Sequence, residues 1–364
     1  MRRLLWVLPI FALASFDTPL LLETTSEDSA GLSMGDLNND GRVDIVLAKG
    51  RHKPLHNRVL LNDGKGGYTA SNLSATPDRT YSTALADIDR DGDLDIVVSN
   101  DAPDRKLVYK NDGRGRFTPA STFGEPGWVT RYVTLADLNN DGFPDIAAAN
   151  RGGDRAVPSF VCWNDRSGGF PACDPIPSQS ATSIAAADFD GDGAIDLFVP
   201  HREGGQGAVL WNDGKGRFPV NTHAGAANAA IRIAAAGDLN GDKQLDLAYI
   251  DERAKAAFIV LNVGGRRFAA PVRLPGAERV PYALALADLD GDRALDIVIG
   301  FVELPGAIYY NAGKGEAFRE ASWNDGKGTV YGMAFSDLNG DGLPDIAAAR
   351  SGAPNAVWLS RRGR

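Results

Sequence analysis

The stretch Asp36-Leu-Asn-Asn-Asp-Gly-Arg-Val-Asp44 returns, with substitutions, at Asp87, Asp137, Asp188, Asp238, Asp288 and Asp337. Successive copies begin 51, 50, 51, 50, 50 and 49 residues apart, so seven units take up nearly all of the 364 residues. A fixed period of this length marks a repeat architecture, in which each unit is one supersecondary element packed on its neighbours. The spacing leaves no stretch for a second domain.

Outward from the second copy the pattern is strand-like. Ser82 to Ala86 leads into the loop, Asp95-Ile-Val-Val-Ser99 leaves it, and Lys106-Leu-Val-Tyr-Lys110 follows. The turn Asn111-Asp-Gly-Arg-Gly115 then gives way to Arg116-Phe-Thr-Pro119. Four short runs punctuated by Gly, Asn and Asp, with no helical period, predict four antiparallel strands. Four strands per unit of this size make the blade of a propeller, so an all-β, seven-bladed β-propeller is expected over 15–364. The last unit ends after Ala356-Val-Trp-Leu-Ser360, one strand short, and Phe16-Asp-Thr-Pro19 is similar to Phe117-Thr-Pro119. The N-terminal strand is therefore expected to complete the seventh blade, which closes the ring and removes an exposed edge.

The repeated loop has the chemistry of a calcium cage. Oxygen-bearing side chains at positions 1, 3, 5 and 9 can converge around a sharp turn, and hard oxygen ligands in a flexible loop suit Ca²⁺. Three loops carry four Asp: Asp87, Asp89, Asp91 and Asp95; Asp188, Asp190, Asp192 and Asp196; Asp288, Asp290, Asp292 and Asp296. Four have Asn at position 3: Asp36, Asn38, Asp40 and Asp44; Asp137, Asn139, Asp141 and Asp145; Asp238, Asn240, Asp242 and Asp246; Asp337, Asn339, Asp341 and Asp345. Position 12 is never Glu, and strands rather than helices flank the loop, so this is not an EF-hand. Up to seven calcium ions are expected. The fifth and sixth loops replace the bend glycine with Lys243 and Arg293, which should strain or reshape the turn and weaken binding there.

The phrases Ala86-Asp-Ile-Asp-Arg-Asp-Gly-Asp-Leu-Asp-Ile-Val-Val98 and Leu60-Leu-Asn-Asp-Gly-Lys-Gly66 resemble the FG-GAP/VCBS repeats. Integrin α-subunit propellers, calcium-dependent propeller lectins and many exported bacterial proteins share these repeats, and the bacterial form is the nearer. The resemblance implies the propeller and the calcium. It does not imply one activity, since a fold of this kind hosts many.

Arg2 and Arg3 ahead of the apolar run Leu4 to Leu13, with Ala12-Leu13-Ala14 as a cleavage site, read as a signal peptide over 1–14. The run is too short to span a bilayer, so a periplasmic or secreted protein is expected. In such a compartment Cys162 and Cys173, flanking a predicted hairpin turn, favour a disulfide. The formal charge of −9 becomes −11 once Arg2 and Arg3 leave with the leader. Seven Ca²⁺ would carry it to about +3, so the acidity belongs to the cages and the remaining surface is neutral to basic.

Strand order puts the calcium loops and the Asn-Asp-Gly turns on one face. The other connections share the opposite face and differ from blade to blade, which is where specificity is built. All four histidines fall there, His52, His56, His201 and His223, with many arginines. Tyr81, Tyr282 and Tyr331 enter the first strand at matching positions, with Arg131 and Arg232 in the same slot of other blades. These five and Arg79 are the candidate ligand-binding residues. The counter-reading pairs the arginines with Asp101, Asp154, Glu203, Asp251 or Glu252. The preferred function is a recognition or adhesion module for a glycan, an anionic polysaccharide above all, or an extracellular protein. The alternative is a polysaccharide lyase using His201, Arg202 and the three tyrosines as base, carboxylate neutraliser and acid. Neither a nucleic-acid stripe nor a membrane span is read, and a monomer is expected.

Overall fold

Every unit folds into a four-stranded antiparallel sheet, and seven such sheets form the ring of a seven-bladed β-propeller. The structure is a computed structural model that describes residues 14–361 except 154, 277 and 316. The leader reading falls almost wholly outside the described residues. In the second blade the strands are Thr80–Ala86, Asp95–Asn100, Lys106–Asn111 and Phe117–Phe123, in spatial order as in sequence. First strands of neighbouring blades pack against one another, so they form the inner wall of the ring.

The second strands explain the apolar runs. Asp44–Lys49, Asp95–Asn100 and Asp145–Asn150 are buried at every residue, because each blade is covered on both faces by its neighbours. Ile45 and Leu47 pack toward blade seven while Val46 packs toward blade two. The apolar interior is thus divided into seven clusters, one between each pair of adjacent blades.

The N-terminal segment completes the seventh blade. Leu20–Leu21 pairs antiparallel with Ala356–Trp358, and Ser15–Phe16 pairs with Ser360–Arg361. The closing strand is therefore split into two short pieces. Phe16 lies opposite Ser360 as Phe117 lies opposite Asn111, so the likeness of the two segments is one of register. Cys162 and Cys173 are direct cross-strand partners in the third blade and form a disulfide.

Candidate functional site

The acidic loops share one construction. In the first, Asp36 accepts the N–H groups of Asp40 (3.1 Å) and Gly41 (2.8 Å). Asp44 accepts Leu37 N–H at 2.9 Å with one oxygen and Asn62 N–H at 2.7 Å with the other. The ninth-position aspartate therefore ties its loop to the end of the third strand, a role that sequence reading missed. Burial pushes this carboxyl up against those backbone donors, to about 6 in Asp95, Asp145 and Asp246 and about 7 in Asp196 and Asp296. Asp44 and Asp345 shift the same way for the same cause.

Lys243 and Arg293 do not reshape the bend. They adopt φ of 71° and 74°, close to the 80° of Gly41, and their N–H groups reach Asp238 and Asp288 at 2.8 Å as the glycines do. The expected change of shape is thus corrected: the first-position carboxylate holds the turn, and the cost stays local as left-handed backbone strain.

The loops do fall into two classes. In the three four-Asp loops, positions 1, 3 and 9 bring carboxylate oxygens within 4.8 Å of one another. Two oxygens on one Ca²⁺, each about 2.3–2.6 Å from it, lie no more than about 5 Å apart, so these clusters fit its shell. One oxygen of Asp89 is buried without a hydrogen-bond partner. In the first and fifth loops the Asn amide instead donates to position 5, Asn38 to Asp40 at 2.9 Å and Asn240 to Asp242 at 3.0 Å. There the amide hydrogen offsets part of the charge that a cation would otherwise meet.

On the opposite face a cavity of about 160 Å³ draws lining from all seven blades, which places it on the ring axis. Backbone bulges build it. In six first strands the register skips one residue, and the skipped residues are Ala30, Tyr81, Arg131, Arg232, Tyr282 and Tyr331. A bulge frees a side chain from the in-out alternation of its strand and re-aims it. Five of these residues are candidates named from sequence, and all line the cavity. Thr182 stands at the equivalent position of the fourth blade. Arg51, His52, Arg151 and Arg202, from the loops after the second strands, form the outer layer.

Arginine and tyrosine interleave within this ring. The Arg131 guanidinium lies 4.0 Å from the Tyr81 ring centre, Arg232 lies 3.7 Å from that of Tyr282, and Arg51 lies 4.2 Å from that of Tyr331. Tyr282 and Tyr331 meet edge to face at 4.9 Å. Burial keeps the Tyr81 hydroxyl protonated and pushes that of Tyr331 up to about 12. The carboxylates sit behind the arginines rather than in the lining. Asp101 is 2.8 Å from Arg131 and Glu203 is 2.7 Å from Arg151. Glu252 serves two cations, Arg202 at 2.8 Å and Arg232 at 2.9 Å. Burial first, and then the charge of Arg202, pull the Arg232 guanidinium below its ordinary range. Asp251 accepts backbone N–H groups instead of pairing with an arginine, and Asp154 lies outside the described residues.

Two sequence candidates lie elsewhere. Arg79 is not in the cavity lining; it pairs with Asp104 at 2.9 Å. His201 and Arg202, expected to act together, line different cavities, His201 with Arg155 and Glu203, Arg202 on the axis. The strand ends at Val199 and the chain bends at Arg202, which sends the two side chains into different cavities. Burial, and then His223, lower the His201 pKa, so the ring is neutral at pH 7. The histidine that does reach the axis is His52, whose Nε2 lies 2.7 Å from the Tyr81 hydroxyl. Its position two residues past Gly50 carried no signal that set it apart from any exposed loop histidine.

Fold and loop together define a class, the propellers built from acidic-loop repeats. The chain belongs to the FG-GAP-like repeat family, which it matches over residues 36–98, 87–148, 137–199, 188–249 and 238–299. Cartilage acidic protein 1 of Xenopus tropicalis is 30% identical over 197 residues, 48% of this chain and 29% of that protein. The human protein of that name is 30% identical over 195 residues, 48% of this chain and 28% of its own length. The chain thus spans less than a third of these relatives. Among solved structures, a lectin of Agrocybe aegerita that recognises non-reducing terminal N-acetylglucosamine matches at TM-score 0.58 and 21% identity, covering 83% of this chain and 81% of the lectin. Virginiamycin B lyase of Staphylococcus aureus matches at 0.64 and 12%, covering 95% and 99%. At such identities the likeness is one of fold. Among the described residues, no helix is long and apolar enough to cross a membrane.

Proposed function

We propose that this propeller is an exported, calcium-stabilised recognition module whose axial cavity binds an anionic glycan. The observation that carries the reading is that Arg202 and Arg232 share one carboxylate, Glu252, at a largely buried site on the axis. Two desolvated guanidiniums with one counter-charge leave a positive balance that a ligand carboxylate would complete, and arginine's planar fork suits it. The propeller lectin supports a glycan as the partner. The disulfide supports an oxidising compartment.

Retention on immobilised polygalacturonate tests this. Arg202→Gln with Arg232→Gln should abolish retention in a variant that still melts cooperatively, at a lower temperature because Glu252 loses both partners. Glu252→Gln, which removes the competing carboxylate, should instead strengthen retention. Unaltered retention of the double variant would reject the reading. For the loops we propose calcium, with up to seven ions held by the residues at positions 1, 3, 5 and 9. The three four-Asp loops are the strongest sites. The sixth, where Arg293 was expected to weaken binding, is instead favoured. Lysine or arginine pairs with Asp89, Asp190 and Asp192 in the other two four-Asp loops, and no such ion pair among the described residues reaches Asp288, Asp290 or Asp296.

A second reading has one observation in its favour. The Tyr81 hydroxyl, His52 and Arg131 meet in the axial cavity, and His52 Nδ1 lies 3.3 Å from Asp101. A phenol backed by an imidazole and a carboxylate, beside a guanidinium, suits elimination from a uronate: a carboxylate neutralised, a proton lost, the leaving oxygen protonated. New ultraviolet absorbance from an unsaturated uronate product, absent in Tyr81→Phe, would establish it. Silence across an acidic polysaccharide panel would dismiss it.

A further inference from the structure

We propose that the ligand enters the axial cavity by its end, as the terminal uronic-acid residue of a glycan rather than a stretch of chain interior. This rests on the anionic-glycan reading above and adds how the polymer is held. Because all seven blades contribute to the lining, the cavity is walled on every side and offers no groove along which a chain could run. An interior sugar carries two linkages and needs two ways out on the same face. A terminal sugar needs one.

Size and layering agree. The cavity, about 160 Å³, is smaller than the roughly 300–1,000 Å³ that encloses a drug-sized ligand, so it takes one end group and not an oligomer. Its lining passes from the loop arginines, through the Arg–Tyr ring, to Leu32, Leu284 and Met333, where charge is no longer accommodated. Beneath, Ser33 bonds across to Thr83 of the next blade at 2.8 and 2.9 Å, lacing the inner strands together. The slot side chain is small at Ala30 and Thr182, and Tyr282 and Tyr331 stand together in blades six and seven.

Titration calorimetry with galacturonate oligomers of increasing length decides the matter. End recognition predicts a Kd per molecule that changes less than about twofold from trimer to dodecamer, since each molecule has the same ends. A Kd per molecule that tightens in proportion to length would overturn end recognition while leaving the anionic-glycan reading intact. Binding by no oligomer would overturn both. Ala30→Phe narrows the cavity while leaving every arginine in the sequence, and should abolish binding of every length; full binding by the folded variant would overturn the proposal. Should that variant fail to fold, the length series decides alone. A peptide with a free C-terminal carboxylate competing as strongly as the trimer would overturn the assignment to a glycan.

Discussion

Lys243 and Arg293 hold backbone angles that glycine holds in the five sister loops. A side chain in the left-handed region costs about 1–2 kcal/mol, while glycine costs about 0.5–1 kcal/mol through the freer unfolded chain. Lys243→Gly should therefore stabilise the protein by up to about 1 kcal/mol, read as a higher midpoint in urea with an unchanged slope. A lower midpoint would mean that the lysine makes a contact the turn depends on. Asp78 offers a pH test away from the acidic loops. One of its oxygens is buried without a partner, and burial, helped by the charge of Asp104, raises its pKa from 3.8 to about 6. The folded state then holds the proton more tightly than the unfolded state, so this group's contribution falls as pH rises from about 4 to 6 and is flat above. Asp78→Asn should gain on the wild type across that window and keep a constant lead beyond it. Melting temperatures at pH 4, 6 and 8 check this, and a constant difference from pH 4 upward would contradict it.

Between blades, one small element recurs. The asparagine ending the third strand sends its amide to the loop backbone of the preceding blade: Asn111 to Leu37, Asn164 to Ile88, Asn212 to Leu138, Asn262 to Phe189 and Asn311 to Leu239, at 2.7–2.9 Å. Each also bonds its own loop, as Asn212 does to Ile195 at 2.8 Å. Asn212→Ala should cost roughly 1–3 kcal/mol, because two buried carbonyls lose their donor. Asn62→Ala should cost less, since among the described residues the Asn62 amide donates only within its own blade, to Val43 at 3.3 Å. Denaturant midpoints of the two variants give the comparison, and equal losses would dissolve the clamp.

The asparagines were visible in sequence only as the start of an Asn-Asp-Gly turn, since nothing local tells which amide reaches a neighbour. The acidic loops were legible because seven in-phase copies remove the ambiguity of one Asx-rich turn. The bulges were half legible. Each skipped residue stands six before its loop's first Asp, so the column from Ala30 to Tyr331 could be aligned by counting. That the column leaves the strand's alternation and converges on the axis belongs to the assembled ring. The pairing of His201 with Arg202 failed for the converse reason: adjacency in sequence was taken for adjacency in space.

At the scale of the whole molecule, seven separate clusters replace a single core, so stability is a sum of interfaces. Calcium would act at that scale too, by relieving the like charge gathered in every loop. Chelation with EGTA should lower the melting temperature by many degrees. Asp296→Asn should remove part of that sensitivity, and a melt indifferent to EGTA would sink the calcium reading. The interfaces are unequal, however. Among the described residues the Asn clamp is missing on both sides of blade seven, since Ser360 replaces the asparagine there and the Asn62 amide donates only to Val43. Only where blade seven meets blade one do other defects join it: Leu338 is only partly buried where its six counterparts are buried, and a cavity of about 420 Å³ opens beside Tyr68 and Leu359. A ring built this way behaves like a split washer, sound around most of its circumference and able to gape at one cut. Amide exchange and proteolytic nicking should begin at Leu20–Leu21 and spread from that cut, so a staple across the seam would delay unfolding more than any improvement to a well-packed blade.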